Sequence, residues 1–193
     1  MEENEVQKLQ EELERLRTLV YFDELTGLLN RRGFMEEAER EFQLVSFGKT
    51  ELERRTGFEI PFAIIFLDLD NFKSINDTYG HQGGDEALKT AATVLKQQLR
   101  DGDLLGRWGG EEFVVAVLGA NQERTLAIAE KLRKSIEQAN VTVAGGRIPL
   151  TASIGVASYR NTGTLQDLID VADKAMYQAK ETGKNRVTVF ESK

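Results

Sequence analysis

The chain contains no cysteine and a single histidine, His81. The first absence excludes disulfides, thiolate metal sites and cysteine nucleophiles. The second excludes multi-histidine zinc and copper centres, so any metal must be held by oxygen ligands, which suits magnesium, manganese or calcium. Basic charge is also short: 25 Lys and Arg face 32 Asp and Glu, a formal net charge of −7. General nucleic-acid binding needs a basic footprint and is not expected. An anionic small substrate stays open, because a few placed lysines and a metal offset the field locally. No apolar run approaches the roughly 20 residues that cross a bilayer. The first residues are acidic where a secretory leader is basic. The expectation is a cytoplasmic protein with no membrane segment, with an upstream sensor domain left open.

What is present is a chain of 193 residues, 40% apolar and 30% charged, enough for one domain with a core. Residues 1–20 stand apart from residues 21–193. Val6, Leu9, Leu13, Leu16 and Val20 follow spacings of three, four, three and four, an a/d heptad seam among charged residues. Glu12 and Arg17 then fall at g and the following e, the pair that meets across a parallel dimer. A coiled-coil stalk is expected; a helix packed on its own domain is the plainer alternative.

Patterning further along predicts a mixed α and β order. A helix is expected from Arg31 to Gln43, then a loop or helical extension over Ser46–Glu59. Phe62–Leu67 is a continuous apolar run, the signature of a strand buried on both faces, and it ends in Asp68-Leu69-Asp70. A helix is predicted over Gly83–Arg100, with Leu88, Ala91, Ala92, Leu95 and Leu99 on one stripe. Leu104–Trp108 and Phe113–Leu118 flank Gly109-Gly110-Glu111-Glu112 and read as a hairpin with a tight glycine turn. Helices over Ala120–Ala139 and Leu165–Lys180 and strands over Leu150–Ser158 and Arg186–Phe190 complete the order.

The positions of the acids point to chemistry. Asp68 and Asp70 stand at the end of a buried strand, and Glu111 and Glu112 in the turn of the next hairpin. Successive strands are usually neighbours, so these carboxylates are expected to converge. Clustered carboxylates repel unless a cation neutralises them, and two magnesium ions about 3.5–4 Å apart would also activate a hydroxyl and stabilise a leaving pyrophosphate. Each element alone is also an ordinary strand end or solvated turn. Asn71-Phe72-Lys73 reads as a loop after the central strand whose N–H groups and lysine could receive phosphates.

Asp68-Leu-Asp-Asn-Phe-Lys-Ser-Ile-Asn-Asp-Thr-Tyr-Gly-His81, Gly84-Asp85 and Arg107-Trp-Gly-Gly-Glu-Glu-Phe113 resemble the GGDEF diguanylate cyclases. Asp23–Arg32, Thr151–Val156 and Ala172–Asn185 extend the resemblance over about residues 21–191. It implies a palm-like nucleotidyl cyclase fold, α/β in the α+β sense, with a central mainly antiparallel sheet flanked by helices. It implies condensation of two GTP into cyclic di-GMP with two Mg2+ (or Mn2+) per active site. Asp68, Glu111, Glu112 and the Leu69 carbonyl are then the metal ligands, and Glu111 also lies near the attacking hydroxyl. Asn76 and Asp85 read guanine, since a carboxylate accepts from both N1–H and the exocyclic amine. Phe72 and Lys73 form the phosphate loop beside Gly109 and Gly110, with Lys180 and Lys184 as cationic partners. Asp68, Glu111 and Lys73 make up the catalytic set. Lys184 stands where the family usually has arginine, which keeps charge and loses the bidentate fork. The turn reads Gly-Gly-Glu-Glu-Phe, a form typical of active members. His81 is expected to pack beside the guanine pocket as a structural residue.

Arg100-Asp-Gly-Asp103 has the spacing of the family's RxxD inhibitory site, which implies feedback by bound cyclic di-GMP; a polar helix-ending turn has the same composition. Because the product has two phosphodiester links, the resemblance implies a homodimer joined through the N-terminal stalk. Two rival readings share the acids: a GTP or cyclic di-GMP receptor without turnover, and another nucleotidyl transfer.

Overall fold

The computed structural model of the protein describes residues 2–47, 61–143, 146–159 and 163–189. The elements in chain order are α1 (Glu2–Tyr21), α2 (Arg31–Phe47), β1 (Phe62–Leu69), α3 (Phe72–Gln98), β2 (Leu104–Gly109), β3 (Glu112–Leu118), α4 (Gln122–Glu137), β4 (Val141–Val143), β5 (Gly146–Ile148), β6 (Ala152–Ser158), α5 (Leu165–Glu181) and β7 (Val187–Val189). Every residue of β1 is buried, as its unbroken apolar run requires. The strand therefore sits at the centre of a five-stranded sheet of order β2-β3-β1-β6-β7. The pairings are antiparallel except β6 with β7. This is the mixed, mainly antiparallel architecture that the sequence predicts.

Residues alternate across β1, so the sheet divides two cores. Ile65, Leu67 and Leu69 face α3 and α4, while Phe62, Ile64 and Phe66 face α2 and α5. Helix α5 begins at a capping box, with the Thr164 hydroxyl and the Asp167 carboxylate each bonded to the other's backbone N–H. It buries Leu165, Leu168, Ile169, Ala172, Ala175, Met176 and Ala179, one stripe at helical spacing. Asn121 caps α4 by accepting from the Arg124 N–H.

Several boundaries differ from the sequence expectation. The segment after β1 is not a loop: α3 starts at Phe72, eleven positions before the predicted Gly83. Gly80, at φ 72° and ψ 172°, breaks it into two arms, and that break hid the first arm's periodicity. Helix α2 continues to Phe47, and residues 48–59 of the expected loop lie outside the described residues, as does Phe190. The β4–β5 hairpin is an addition to the expected order, because three-residue strands carry too little pattern.

The seam of α1 does not pack on its own domain. Val6, Leu9, Leu13 and Leu16 are 53%, 67%, 50% and 49% exposed.

Gly155 in β6 is where α5 approaches the sheet most tightly. An added Cβ would sit 2.0 Å from the Ala172 carbonyl oxygen and 2.2 Å from the Met176 nitrogen, both backbone atoms. Gly155→Ala must push helix and strand apart, and is expected to destabilise the domain by about 1–3 kcal/mol or more. Equilibrium denaturation against the unchanged chain measures this, and an unaltered midpoint would contradict the packing described.

Candidate active site

The end of β1 and the β2–β3 turn bring three of the expected acids into one region. Asp68 is directly opposite Glu112 in the β1–β3 ladder. One residue on, the Leu69 N–H donates to the Glu111 carbonyl at 3.3 Å. The turn needs glycine at Gly110, whose φ is 49°. Asp68 is only 4% exposed. Burial raises its pKa, Glu111 and Asp70 raise it further, and Lys180 opposes them. Glu112 is likewise raised, first by burial and then by Asp68 and Asp173. The region is therefore short of positive charge.

Lys180, expected at the phosphates, instead places Nζ 2.7 Å from the Asp68 carboxylate. Among the described residues, no three acidic or histidine side chains converge as a ready metal cage. The donor set nevertheless fits a divalent cation. It consists of hard carboxylate oxygens whose ionised forms are held at a cost by burial and mutual repulsion, the cost that such an ion relieves.

Asp70 does not join this cluster. It is 5% exposed and turns inward, accepting from the Thr151 hydroxyl at 2.7 Å, the Ser153 hydroxyl at 2.7 Å and the Asn185 N–H at 3.0 Å. It therefore anchors the chain after α5 to the end of β1. Lys184 and Asn185 both have positive φ, 62° and 44°. The Asn185 side chain is fixed by Arg133 and Glu137, each at 2.7 Å. So held, Lys184 reaches Asn71 Oδ1 at 2.5 Å, over the start of α3.

Asn71 adopts φ 57° and turns the chain from β1 into α3, so Lys73 is exposed in the first turn of a helix. The break at Gly80 folds the two arms together. Twelve residues of straight helix span about 18 Å, yet a Cβ on Gly84 would lie 3.1 Å from the Phe72 ring and 2.0 Å from Asn76 Oδ1. Asn76 is thereby brought beside Gly84 and its exposed neighbour Asp85. His81 is exposed just past the break, not packed as expected.

Sequence reasoning missed the strut behind the turn. Arg107 donates through Nε and Nη2 to the Gly110 carbonyl at 2.9 and 2.8 Å, and through Nη1 to both Asp23 oxygens at 3.1 and 3.0 Å. Burial alone would raise the Asp23 pKa, but the Thr26 hydroxyl and N–H and the Arg107 guanidinium together hold it below the usual value. The available signal is the acid that opens the Asp23–Arg32 block and the arginine two residues before Gly109. Arg100 and Asp103 form an ion pair at 3.2 Å, and Arg100 also donates to the Leu118 carbonyl.

The antiparallel sheet with acids at one end and a glycine turn beside them defines a class, and the comparisons specify it. The family described as "Diguanylate cyclase, GGDEF domain" matches residues 20–186. Diguanylate cyclase DosC of Escherichia coli K12 is 36% identical over 174 residues, covering 90% of this chain and 36% of that protein. The crystal structure of the coiled coil and GGDEF domain of DgcB from Caulobacter crescentus, in complex with c-di-GMP, superposes with a TM-score of 0.86 at 27% identity, covering 98% of this chain and 95% of that one. The active GGEEF domain of a diguanylate cyclase from Vibrio cholerae gives 0.71 at 28% identity, over 86% and 99% of the two chains. This chain belongs to the GGDEF-domain diguanylate cyclase family. It spans 34% to 46% of the length of curated relatives such as these.

The Asp23 strut gives a pH test. Its folded pKa is lowered, so its contribution is complete above an aspartate's ordinary 3.8 and is lost as pH falls through the lower folded value. Asp23→Asn is expected to remove about 1.5–3 kcal/mol at neutral pH, with the difference from the unchanged chain vanishing in acid. Urea midpoints across pH read this, and a difference constant with pH would refute it.

Proposed function

We propose that this chain is the catalytic domain of a diguanylate cyclase, condensing two GTP into cyclic di-GMP with release of two pyrophosphates. The observation that carries this reading is Asp68, buried opposite Glu112 beside the Gly109-Gly110 turn, with both acids raised in pKa. Asp68, Glu111, Glu112 and the Leu69 carbonyl would hold two Mg2+ or Mn2+ ions. When bound, these supply charge neutralisation at the phosphates and acidify the attacking hydroxyl.

The chain's own residues do the rest. Asn76 and Asp85, gathered by the Gly80 break, accept and donate along the guanine edge and select against adenine. Phe72 and Lys73 at the start of α3, with Gly109 and Gly110 opposite, cradle the triphosphate. Lys184, poised over Asn71, adds charge there, and Lys180 exchanges Asp68 for phosphate when nucleotide and metal enter. Each 3′-oxygen forms a bond to the other nucleotide's α-phosphorus as the bond to pyrophosphate breaks, and Glu111 receives the hydroxyl proton. Positioning supplies most of the acceleration.

One domain holds one GTP, so two must face each other. The unpacked seam of α1 suits a parallel two-stranded coiled coil that raises the effective concentration of the second domain. Arg100 and Asp103 line a cavity of about 370 Å³ with Lys96, Leu99 and Leu105, and this is the proposed site of product inhibition. No helix among the described residues is long and apolar enough to cross a membrane, and we place the domain in the cytoplasm, where GTP is available.

Incubation of the purified chain with GTP and Mg2+, followed by chromatography and mass analysis, is expected to yield cyclic di-GMP after linear pppGpG. The reaction should plateau, and Arg100→Ala should relieve the plateau. Unchanged GTP across a wide range of protein concentration, with tight cyclic di-GMP binding, would favour a receptor instead.

A further inference from the structure

Behind the glycine turn lies an open cleft of about 480 Å³ lined by Asp23, Asn30, Arg31, Arg32, Arg107, Trp108, Gly109 and Gly110. Its one acid is already satisfied, since Asp23 takes both contacts from Arg107. Arg107 is equally spent, on Asp23 and the Gly110 carbonyl. Asn30 is committed to the Val20 and Phe22 carbonyls and the Gly33 N–H. Arg31 and Arg32 are different. Both are exposed, and among the described residues neither forms an ion pair. The Arg31 guanidinium stacks 4.5 Å over the Trp108 ring, and that of Arg32 lies 5.7 Å over Tyr21. Stacking fixes a planar fork without using its hydrogen-bond donors, so both arginines stay free to bind an anion.

The location gives this cleft a task. It shares Gly109 and Gly110 with the turn that carries Glu111. It opens beside β2, the edge strand of the sheet, whereas Lys180 pairs with Asp68 on β1, two strands further in. If two nucleotides react across this turn, the first occupies the lysine side and the second must arrive from the open edge. We propose that Arg31 and Arg32 bind the phosphates of the GTP held by the second copy of the chain, so that each active site is completed in trans. The inference rests on the cyclase reading. It gives a use to two arginines that form no ion pair among the described residues, since a bidentate guanidinium matches phosphate oxygens better than a point charge. It also makes the dimer a source of binding groups as well as of a second substrate.

The test compares turnover with nucleotide affinity. Arg31→Ala and Arg32→Ala are expected to lower kcat on the order of a hundredfold, as removal of one transition-state donor does. The affinity of each variant for a non-hydrolysable GTP analogue, measured on a Leu9→Glu, Leu13→Glu background that keeps the chain monomeric, should match that of the parent. Arg31→Lys preserves charge and the stem that covers Trp108, so it should fold normally and still lose most of the rate. Melting curves check that each variant is folded. Wild-type turnover in the arginine variants would overturn the inference while leaving the cyclase reading intact. Equal losses of rate and of monomer affinity would assign the arginines to the chain's own nucleotide and overturn the trans arrangement. Absence of cyclic di-GMP from the unsubstituted chain would overturn both.

Discussion

Removing a carboxylate from water costs several kcal/mol unless opposite charge compensates it, and β1 holds Asp68 almost fully buried with another acid directly across the ladder. That arrangement does not serve stability. Burial and repulsion raise both Asp68 and Glu112, and Lys180 offers Asp68 only partial relief. Acids held at such a cost fit a divalent cation, whose arrival would relieve the repulsion between them. The surrounding elements can be understood as the means of holding this frustrated point in place.

Two anchors do most of that holding. Below the site, Asp70 gathers hydrogen bonds from Thr151, Ser153 and Asn185, so β1, β6 and the chain after α5 meet at one carboxylate. Above it, Arg107 links the Gly110 carbonyl to Asp23. The Arg107 N–H donates to Leu29, and the Asn30 N–H to the Tyr21 carbonyl at the end of α1. A continuous run of hydrogen bonds therefore joins α1 to the turn that bears Glu111. A stalk that dimerises would thus be rigidly tied to the site it serves, a connection resting on hydrogen bonds and backbone rather than on a flexible linker.

Much of this was legible in the sequence. The apolar run of β1 fixed the central strand, the glycines marked the hairpin, and the ordered motifs located the acids. What stayed hidden has physical causes. Gly80 interrupts α3, and a periodicity cut into short pieces reads as loop. The direction of Asp70 depends on where Thr151 and Ser153 fall, about eighty residues later. Asp23 and Arg107 are equally distant in sequence, and a lone charge does not announce its partner. The Lys180–Asp68 ion pair is likewise hidden, because Asp68 lies more than a hundred residues earlier in the chain.

The central claim is that the acids around Asp68 are held for divalent metal. Calorimetric titration of Mn2+ into the chain saturated with a non-hydrolysable GTP analogue tests it most directly. The account predicts two sites per chain, both lost in Asp68→Ala although the variant still melts cooperatively. Equal Mn2+ binding by Asp68→Ala and the unsubstituted chain would contradict it, and would leave the buried acid without the role assigned here.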